Sequence, residues 1–400
     1  MNLIWHMGDG GAQQIIINYL RFFQNDPDID FRLCVFAGPT DSKYDQEIRE
    51  KNYDVVYLNE PDTKCPIPYV RRFFRKAVIT KAWEAAFQDF QPDIVHVHIS
   101  ALLEQTMPAI KHTNIPVRFD TLHTSPYRYK GKLRRIIVDA FLNQHVIPIC
   151  LTEEQLQAAK EWYGIKDYEL VRNGLDIDGL RGACCSKQVA RAYFGLNPDA
   201  FIVIGVGRLT YVKNFPLLID SFEELLRIQP KAQLVIAGDG SERSNLVRLV
   251  TEKKLSKHVV FLGSITEMSK LYSAADVLGV TSISEALPLA VLEAQMCGLR
   301  CVLSDGVPDE SILLENTRKL PASAPPGDWA KALLDTEYTG TATYPMELYD
   351  VHQVNRQMKE IYLKRYHQTM EKPNKNNHPS VQPYRKAAQI TTMQIIKDRK

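Results

Sequence analysis
The strongest constraint on the fold is an alternation of short apolar runs with helix-length amphipathic segments, and it occurs twice. Apolar runs at residues 2–7, 31–37, 55–58, 93–97, 117–121 and 146–151 read as strands. Helical patterns lie between them at 12–23, where Ile15, Ile16, Ile17 and Leu20 line one face, at 71–89 and at 101–112. A second series starts near Ala200, with strands at 202–206, 233–237, 258–262, 276–280 and 301–304 and a helix at 216–228. Strands that alternate with helices assemble as a parallel sheet. The expected fold is therefore α/β, with two doubly wound, Rossmann-like domains facing a central cleft. The turn-forming pair Asn173-Gly174 marks the junction, giving a first domain over 1–172 and a second over 173–345. A helix at 349–366 lies in a terminal segment, 346–369, expected to cross back to the first domain. Residues 370–400 are polar and basic and read as a loosely ordered tail.

Four hundred residues with 45% apolar side chains can fill two full cores. A net charge of +2 gives no electrostatic footprint for nucleic acid. The seven cysteines are scattered without C-x-x-C spacing, which points to reduced thiols in a cytosolic compartment rather than to a disulfide or zinc framework. The apolar stretch at the N-terminus is too short for a signal peptide. No apolar run reaches the roughly 18–20 residues of a spanning helix. The expected location is cytoplasmic, with peripheral contact at the inner face of the plasma membrane as the alternative.

Chemistry concentrates in Ser282-Ile-Ser-Glu285-Ala-Leu-Pro288-Leu-Ala-Val-Leu-Glu293-Ala-Gln-Met-Cys-Gly298. On one unbroken helix the two glutamates would stand roughly 12 Å apart, too far to act as a pair. A helix that starts near Pro288, a favoured first-turn residue, leaves Glu285 in the preceding loop and puts Glu293 on the second turn. Two separated acceptors beside a helix N-terminus, which attracts anions, suit a polyhydroxylated, phosphorylated ligand.

Three other segments fall just past strand ends, where ligands of open α/β sheets bind. Gly207-Arg208-Leu-Thr-Tyr-Val-Lys213-Asn214 follows the strand at 202–206. Arg208 offers a planar donor fork and Lys213 a mobile point charge, a pair suited to a diphosphate. Gly8-Asp-Gly10-Gly11-Ala-Gln13 ends the first strand and opens a helix, so the main chain there can approach an anion closely. It lacks the last glycine of a G-x-G-x-x-G dinucleotide fingerprint, which argues against an NAD oxidoreductase. His123 follows the strand at 117–121, whereas His96 and His98, within a strand, read as core residues.

The spacing Glu285 to Glu293, set among Pro288, Ala294 and Gly298, resembles the E-x7-E signature of GT-B retaining glycosyltransferases of family 4, the group 1 glycosyl transferases. Gly207 to Asn214 resembles that family's G-R-x-x-x-x-K-[GN] motif, Gly10-Gly11-Ala-Gln13 its G-G-A-[EQ] loop, and Asn173-Gly174-Leu-Asp176 its N-G-[VIL]-D junction. The resemblance implies transfer of a sugar from a nucleoside-diphosphate sugar, UDP-linked in the favoured case, to a saccharide or lipid-linked saccharide in surface polysaccharide assembly. It implies catalytic roles for His123, Arg208, Lys213 and Glu285, with ribose held by Glu293 and a sugar hydroxyl by Glu285. The donor would also meet Gly10, Gly11, Leu287, Pro288 and Leu289, and its base the loop after Leu262-Gly263, near Ile265. Retention would proceed by front-face substitution, with no cofactor and no metal. Relatives usually carry glycine after the first glutamate; here it is Ala286, which disfavours positive φ and predicts a reshaped loop. The alternative is a nucleotide-binding partner subunit that has kept the fold without turnover.

Asp26-Pro-Asp28-Ile-Asp30 contains D-x-D, a metal motif of another glycosyltransferase fold, but its proline and its distance from strand ends predict a solvated loop. Two basic clusters bear on the acceptor. The first holds Arg71, Arg72, Arg75, Lys76 and Lys81 with Phe73, Phe74 and Trp83; the second holds Arg128, Lys130, Lys132, Arg134 and Arg135. Aromatics interleaved with cations on a helix suit an anionic lipid surface, and the tail adds Lys397, Arg399 and Lys400.

Overall fold
The computed structural model describes residues 1–8, 10–60, 68–342 and 344–371, with the main chain alone at 68–73. Two sheets carry the fold. The first contains β1 (Asn2–Ile4), β2 (Leu33–Val35), β3 (Val55–Tyr57), β4 (Ile94–His98), β5 (Val117–Thr121), β6 (Val146–Cys150) and β7 (Glu169–Leu170), in spatial order β3-β2-β1-β4-β5-β6-β7. The second contains β8 (Ile202–Val206), β9 (Gln233–Ala237), β10 (Val259–Gly263), β11 (Val277–Val280), β12 (Cys301–Ser304) and β13 (Arg318–Leu320), in order β10-β9-β8-β11-β12-β13. The strands pair in parallel in both sheets. Each sheet reverses its winding beside its first strand, between β1 and β4 and between β8 and β11. Ligands of such sheets bind outside the carboxyl ends at that reversal. Residues leaving β1, β4, β8 and β11 therefore face the crevice.

Apolar packing joins the two halves. Ile15, Ile16 and Leu20 of helix Gly11–Phe23 share a buried cluster with Leu289, Leu292 and Met296 of the second half and with Tyr349, Met358 and Tyr362. The chain crosses between halves twice, and the crossings run side by side. Leu175 N–H donates to Tyr349 O over 2.7 Å, and Val351 N–H donates to Leu175 O over 2.9 Å. Gly174 belongs there because a Cβ would stand 3.0 Å from Val351 Cα. After the second crossing, helix Val351–Met370 returns to the first sheet. Lys359 pairs with Asp26 and Asp28 at 2.8 and 2.7 Å, and Arg365 pairs with Asp167 and Glu169 at 2.8 and 2.6 Å. The Asp26-Pro-Asp28 turn is solvated at Pro27 and Asp28, as expected, but it also anchors the terminal helix through Asp26, whose side chain is only 9% exposed. Residues 372–400, with Lys397, Arg399 and Lys400, lie outside the described residues.

One aromatic of the first basic cluster, Trp83, is buried rather than on the surface. In helix Pro68–Phe90, Ile79, Trp83 and Phe87 recur every four residues and are buried, the spacing of a core-facing stripe. Trp83 stacks on Phe36 at 5.7 Å and on Phe87 at 6.1 Å. It belongs to the core and cannot serve a surface face. Phe74 is exposed, while the side chains of Arg71, Arg72 and Phe73 lie outside the described residues. The second basic cluster forms the start of helix Gly131–Asn143, which buries Ile137, Ala140 and Phe141 and leaves Lys132 and Arg135 exposed. Arg134 is held instead over the Trp162 ring at 4.6 Å.

Candidate functional site
The second half supplies a rigid floor. At the ends of β8 and β9, Gly207 and Gly238 adopt φ of 142° and 134°, and a Cβ on Gly238 would lie 2.0 Å from Gly207 O. Only glycine tolerates both the dihedral and the approach. The turn delivers Arg208 to the crevice, where its guanidinium is exposed and, among the described residues, engaged in no hydrogen bond or ion pair. A 3₁₀ turn, Tyr211–Lys213, follows. It is sewn to the loop after β11, because Ile283 N–H donates to Val212 O at 2.8 Å and Thr281 Oγ1 to Asn214 O at 2.8 Å. These bonds bring Lys213 Nζ to 2.6 Å from Glu285 Oε1, with the two side chains 23% and 12% exposed. A charge pair so withdrawn from water is screened far less than one on the surface.

Ala286 is buried and is not among the residues with positive φ. The loop therefore accommodates its Cβ without left-handed strain. Pro288 is the N-cap of helix Leu289–Met296, so the helix starts one residue later than a first-turn proline would set it. Among the described residues, the amides of Leu287, Leu289 and Ala290 donate to no protein acceptor. Such unmet donors, aligned with the helix dipole, are an anion site in waiting. Ile265, after β10, packs part-buried against the second half's apolar cluster.

Glu293 is 7% exposed, and both its oxygens are engaged. Tyr272 Oη donates to Oε2 at 2.9 Å, and Gln14 Nε2 donates to Oε1 at 3.1 Å. Gln14 belongs to the opposite half, so this bond spans the cleft. Gly11 makes the same crossing in an apolar sense, since a Cβ there would stand 3.3 Å from Leu289 Cδ1. Gly10 caps the helix that carries Gln14. Gln13 Nε2 donates to His6 O at 3.0 Å, and His6 Nδ1 accepts from Gly8 N–H at 3.0 Å. Partial burial, and then the positive Arg208 across the cleft, hold His6 below its ordinary pKa.

His123 leaves β5 and is part-buried. Burial pushes its pKa down to about 4, so it stays neutral at physiological pH. Its Nε2 lies 3.0 Å from His98 Nδ1. No described hydrogen bond ties it to Arg208, Lys213 or either glutamate. The structure thus brings together Lys213 with Glu285, and Gln14 and Gly11 with the helix of Glu293, while His123 stands on the first sheet. His6, Gln14 and Tyr272 were not singled out from the sequence. The buried Tyr272 hydroxyl requires a partner, but that burial is visible only in the structure.

Comparison with known proteins bears on both halves. Residues 9–178 match the family described as Glycosyltransferase Family 4, and residues 186–332 match Glycosyl transferases group 1. EpsF of Bacillus subtilis (strain 168) is 24% identical over 343 residues, covering 83% of this chain and 86% of that protein. The UDP-Gal:alpha-D-GlcNAc-diphosphoundecaprenol alpha-1,3-galactosyltransferase of Escherichia coli is 28% identical over 223 residues, 53% of this chain and 58% of that enzyme. Among solved structures, Anabaena Alr3699/HepE in complex with UDP and glucose superposes with a TM-score of 0.73 at 19% identity, covering 91% of this chain and 98% of that one. That likeness shows a shared fold.

Proposed function
Because the chain belongs to the group 1 glycosyl transferases, with a family 4 first half and the GT-B fold, we propose that it transfers a sugar, with retention, from a nucleoside-diphosphate sugar to a saccharide or lipid-linked saccharide. The observation that carries this reading is the paired arrangement in the cleft: Lys213 on Glu285, and Glu293 bridged to the opposite half by Gln14. In this reading Arg208, Lys213 and the amides at the start of helix Leu289–Met296 hold the diphosphate, and Glu293 accepts from the ribose hydroxyls. UDP is favoured by the named donor of the Escherichia coli relative and by the UDP bound in the Anabaena structure.

Retention follows from front-face substitution. The C1–O bond to the diphosphate breaks, the acceptor oxygen bonds C1 on the same face, and its proton passes to the departing phosphate. Double displacement would need a carboxylate free beneath C1. Glu285 is committed to Lys213, and Glu293 to Tyr272 and Gln14. Arg208 and Lys213 supply the positive charge that stabilises the leaving group, so the reaction is read as metal-independent. Calorimetry with UDP and GDP in the presence of a chelator tests the donor site. Binding of UDP in preference to GDP is the expected result. Binding of neither would move the catalytically silent partner ahead of the enzyme.

The acceptor side is read from a groove of about 490 Å³ on the first half, lined by Lys76, Lys111, Lys132 and Arg135 over Leu103, Met107 and Pro108. The two basic segments meet there, and Glu104 and Asp139 offset only part of their charge. Among the described residues no helix is long and apolar enough to cross a membrane. The groove fits peripheral contact with an anionic leaflet, as a lipid-linked acceptor at the cytoplasmic face would require. Co-sedimentation with phosphatidylglycerol vesicles is expected to weaken about fivefold for Arg135→Ala, near 1 kcal/mol per cation. Equal binding to neutral vesicles would remove the membrane reading.

A further inference from the structure
Three histidines, His96 and His98 of β4 and His123 just past β5, adjoin in series, and their hydrogen bonds set which nitrogen of His123 carries its proton. His98 is wholly buried, with its ring stacked 4.1 Å from His96 and 5.3 Å from His123. Burial disfavours the charged form of all three, so each ring holds one proton. His98 Nε2 lies 2.7 Å from Asn2 Oδ1. A carbonyl oxygen only accepts, so the His98 proton is on Nε2 and its Nδ1 is bare. The bare His98 Nδ1 lies 3.0 Å from His123 Nε2. Two bare nitrogens cannot bond, so His123 donates from Nε2 and keeps its Nδ1 lone pair free.

We propose that Asn2 and His98 are positioning residues that lock His123 as the Nε2–H tautomer and present Nδ1 as an acceptor for a substrate hydroxyl. The inference rests on the reading of His123 as the cleft histidine. Asn2 is suited to the task because β1 is held between β2 and β4, with Asn2 in register with Leu33 and His96. Its side chain therefore has little freedom. His98 ends β4 at the winding reversal and pairs in register with Thr121 of β5, two residues before His123. A polyhydroxylated donor or acceptor supplies the O–H that a neutral imidazole nitrogen accepts.

The test is long-range ¹H–¹⁵N correlation on full-length, histidine-labelled protein, with His123 assigned by its absence from His123→Gln. The expected spectrum shows Nε2 protonated and Nδ1 bare. A protonated Nδ1 in the unmodified protein would overturn the proposal, whatever the variants do. His98→Gln can still accept from His123 and donate to Asn2, so it should keep the tautomer and kcat within about threefold. His98→Leu cannot, and should mix the tautomers and lower kcat about tenfold or more, the order of one lost positioning bond, with nucleotide affinity unchanged. Wild-type kcat in His98→Leu would count against the positioning role. An unchanged kcat in His123→Ala would instead sink the reading of His123 itself, leaving the tautomer result standing.

Discussion
Lys213→Ala is expected to lower kcat by about 10²–10³-fold, the range seen when one preorganised group facing developing charge is removed. The expectation combines two effects. Lys213 no longer meets the charge that grows on the leaving diphosphate. Its partner Glu285, 12% exposed and 2.6 Å away in the intact protein, is left as an uncompensated negative group in the same cleft. A buried charge stripped of its partner is costly in itself. Initial rates at saturating donor isolate the effect, because a weakened ground state is then overcome by concentration. Lys213→Arg should restore little, since the planar guanidinium does not reproduce a point charge on a flexible stem. Turnover within threefold of wild type in Lys213→Ala would remove Lys213 from the reaction and leave it as a partner of Glu285 only.

Glu293→Gln is expected to weaken UDP binding by about 10–100-fold, the loss of roughly 1.5–3 kcal/mol that follows from neutralising a charged acceptor. The substitution keeps shape, and one amide oxygen remains for Tyr272 or Gln14. Folding should therefore be preserved, as a thermal melt would verify. The loss should track the ribose. Pyrophosphate, which meets Arg208, Lys213 and the helix N-terminus alone in this reading, should bind both proteins alike. Calorimetry with the two ligands separates the cases. Equal losses for UDP and pyrophosphate would mean that the helix had shifted, and the assignment of Glu293 to the ribose would fall.

Much of the second half was legible because its chemistry is local. Gly207-Arg208 and Lys213 are fixed to the end of one strand, and Glu285 and Glu293 to one loop and the helix it opens. Runs of four or five apolar residues announce strands such as Ile202–Val206 and Gln233–Ala237. Boundaries were less visible where side chains leave the sheet for the cleft. β1 ends at Ile4 rather than Met7, although Trp5 O still accepts from Ala37 N–H at 2.8 Å and Met7 stays buried in the core. Of the four edge strands, β3 and β10 were legible and the other two were not. Glu169–Leu170 and Arg318–Leu320 are short and only half-buried, and they exist through pairing with Ile149-Cys150 and Val302–Ser304. Propensity is weak evidence for a strand whose ladder is supplied by a neighbour.

Trp83 shows the same limit from the opposite side. Set among cations and phenylalanines it read as an interfacial aromatic, yet its four-residue spacing from Ile79 and Phe87 was the stronger signal. The terminal helix and Asp26 repeat the lesson, because a D-x-D turn has no visible purpose until Lys359 arrives from 333 residues away.

By itself the sequence determined two doubly wound halves, the strand ends that face a cleft and the charged residues set there, because periodicity and strand-end motifs act over a dozen residues or fewer. Only the tertiary structure decided that Gln14 reaches Glu293, that the charge of Arg208 is felt at His6 and that Asn2 meets His98. Each is an interaction between segments far apart in sequence, made by single polar side chains whose identity carries no periodic signal, and fixed by how two sheets pack.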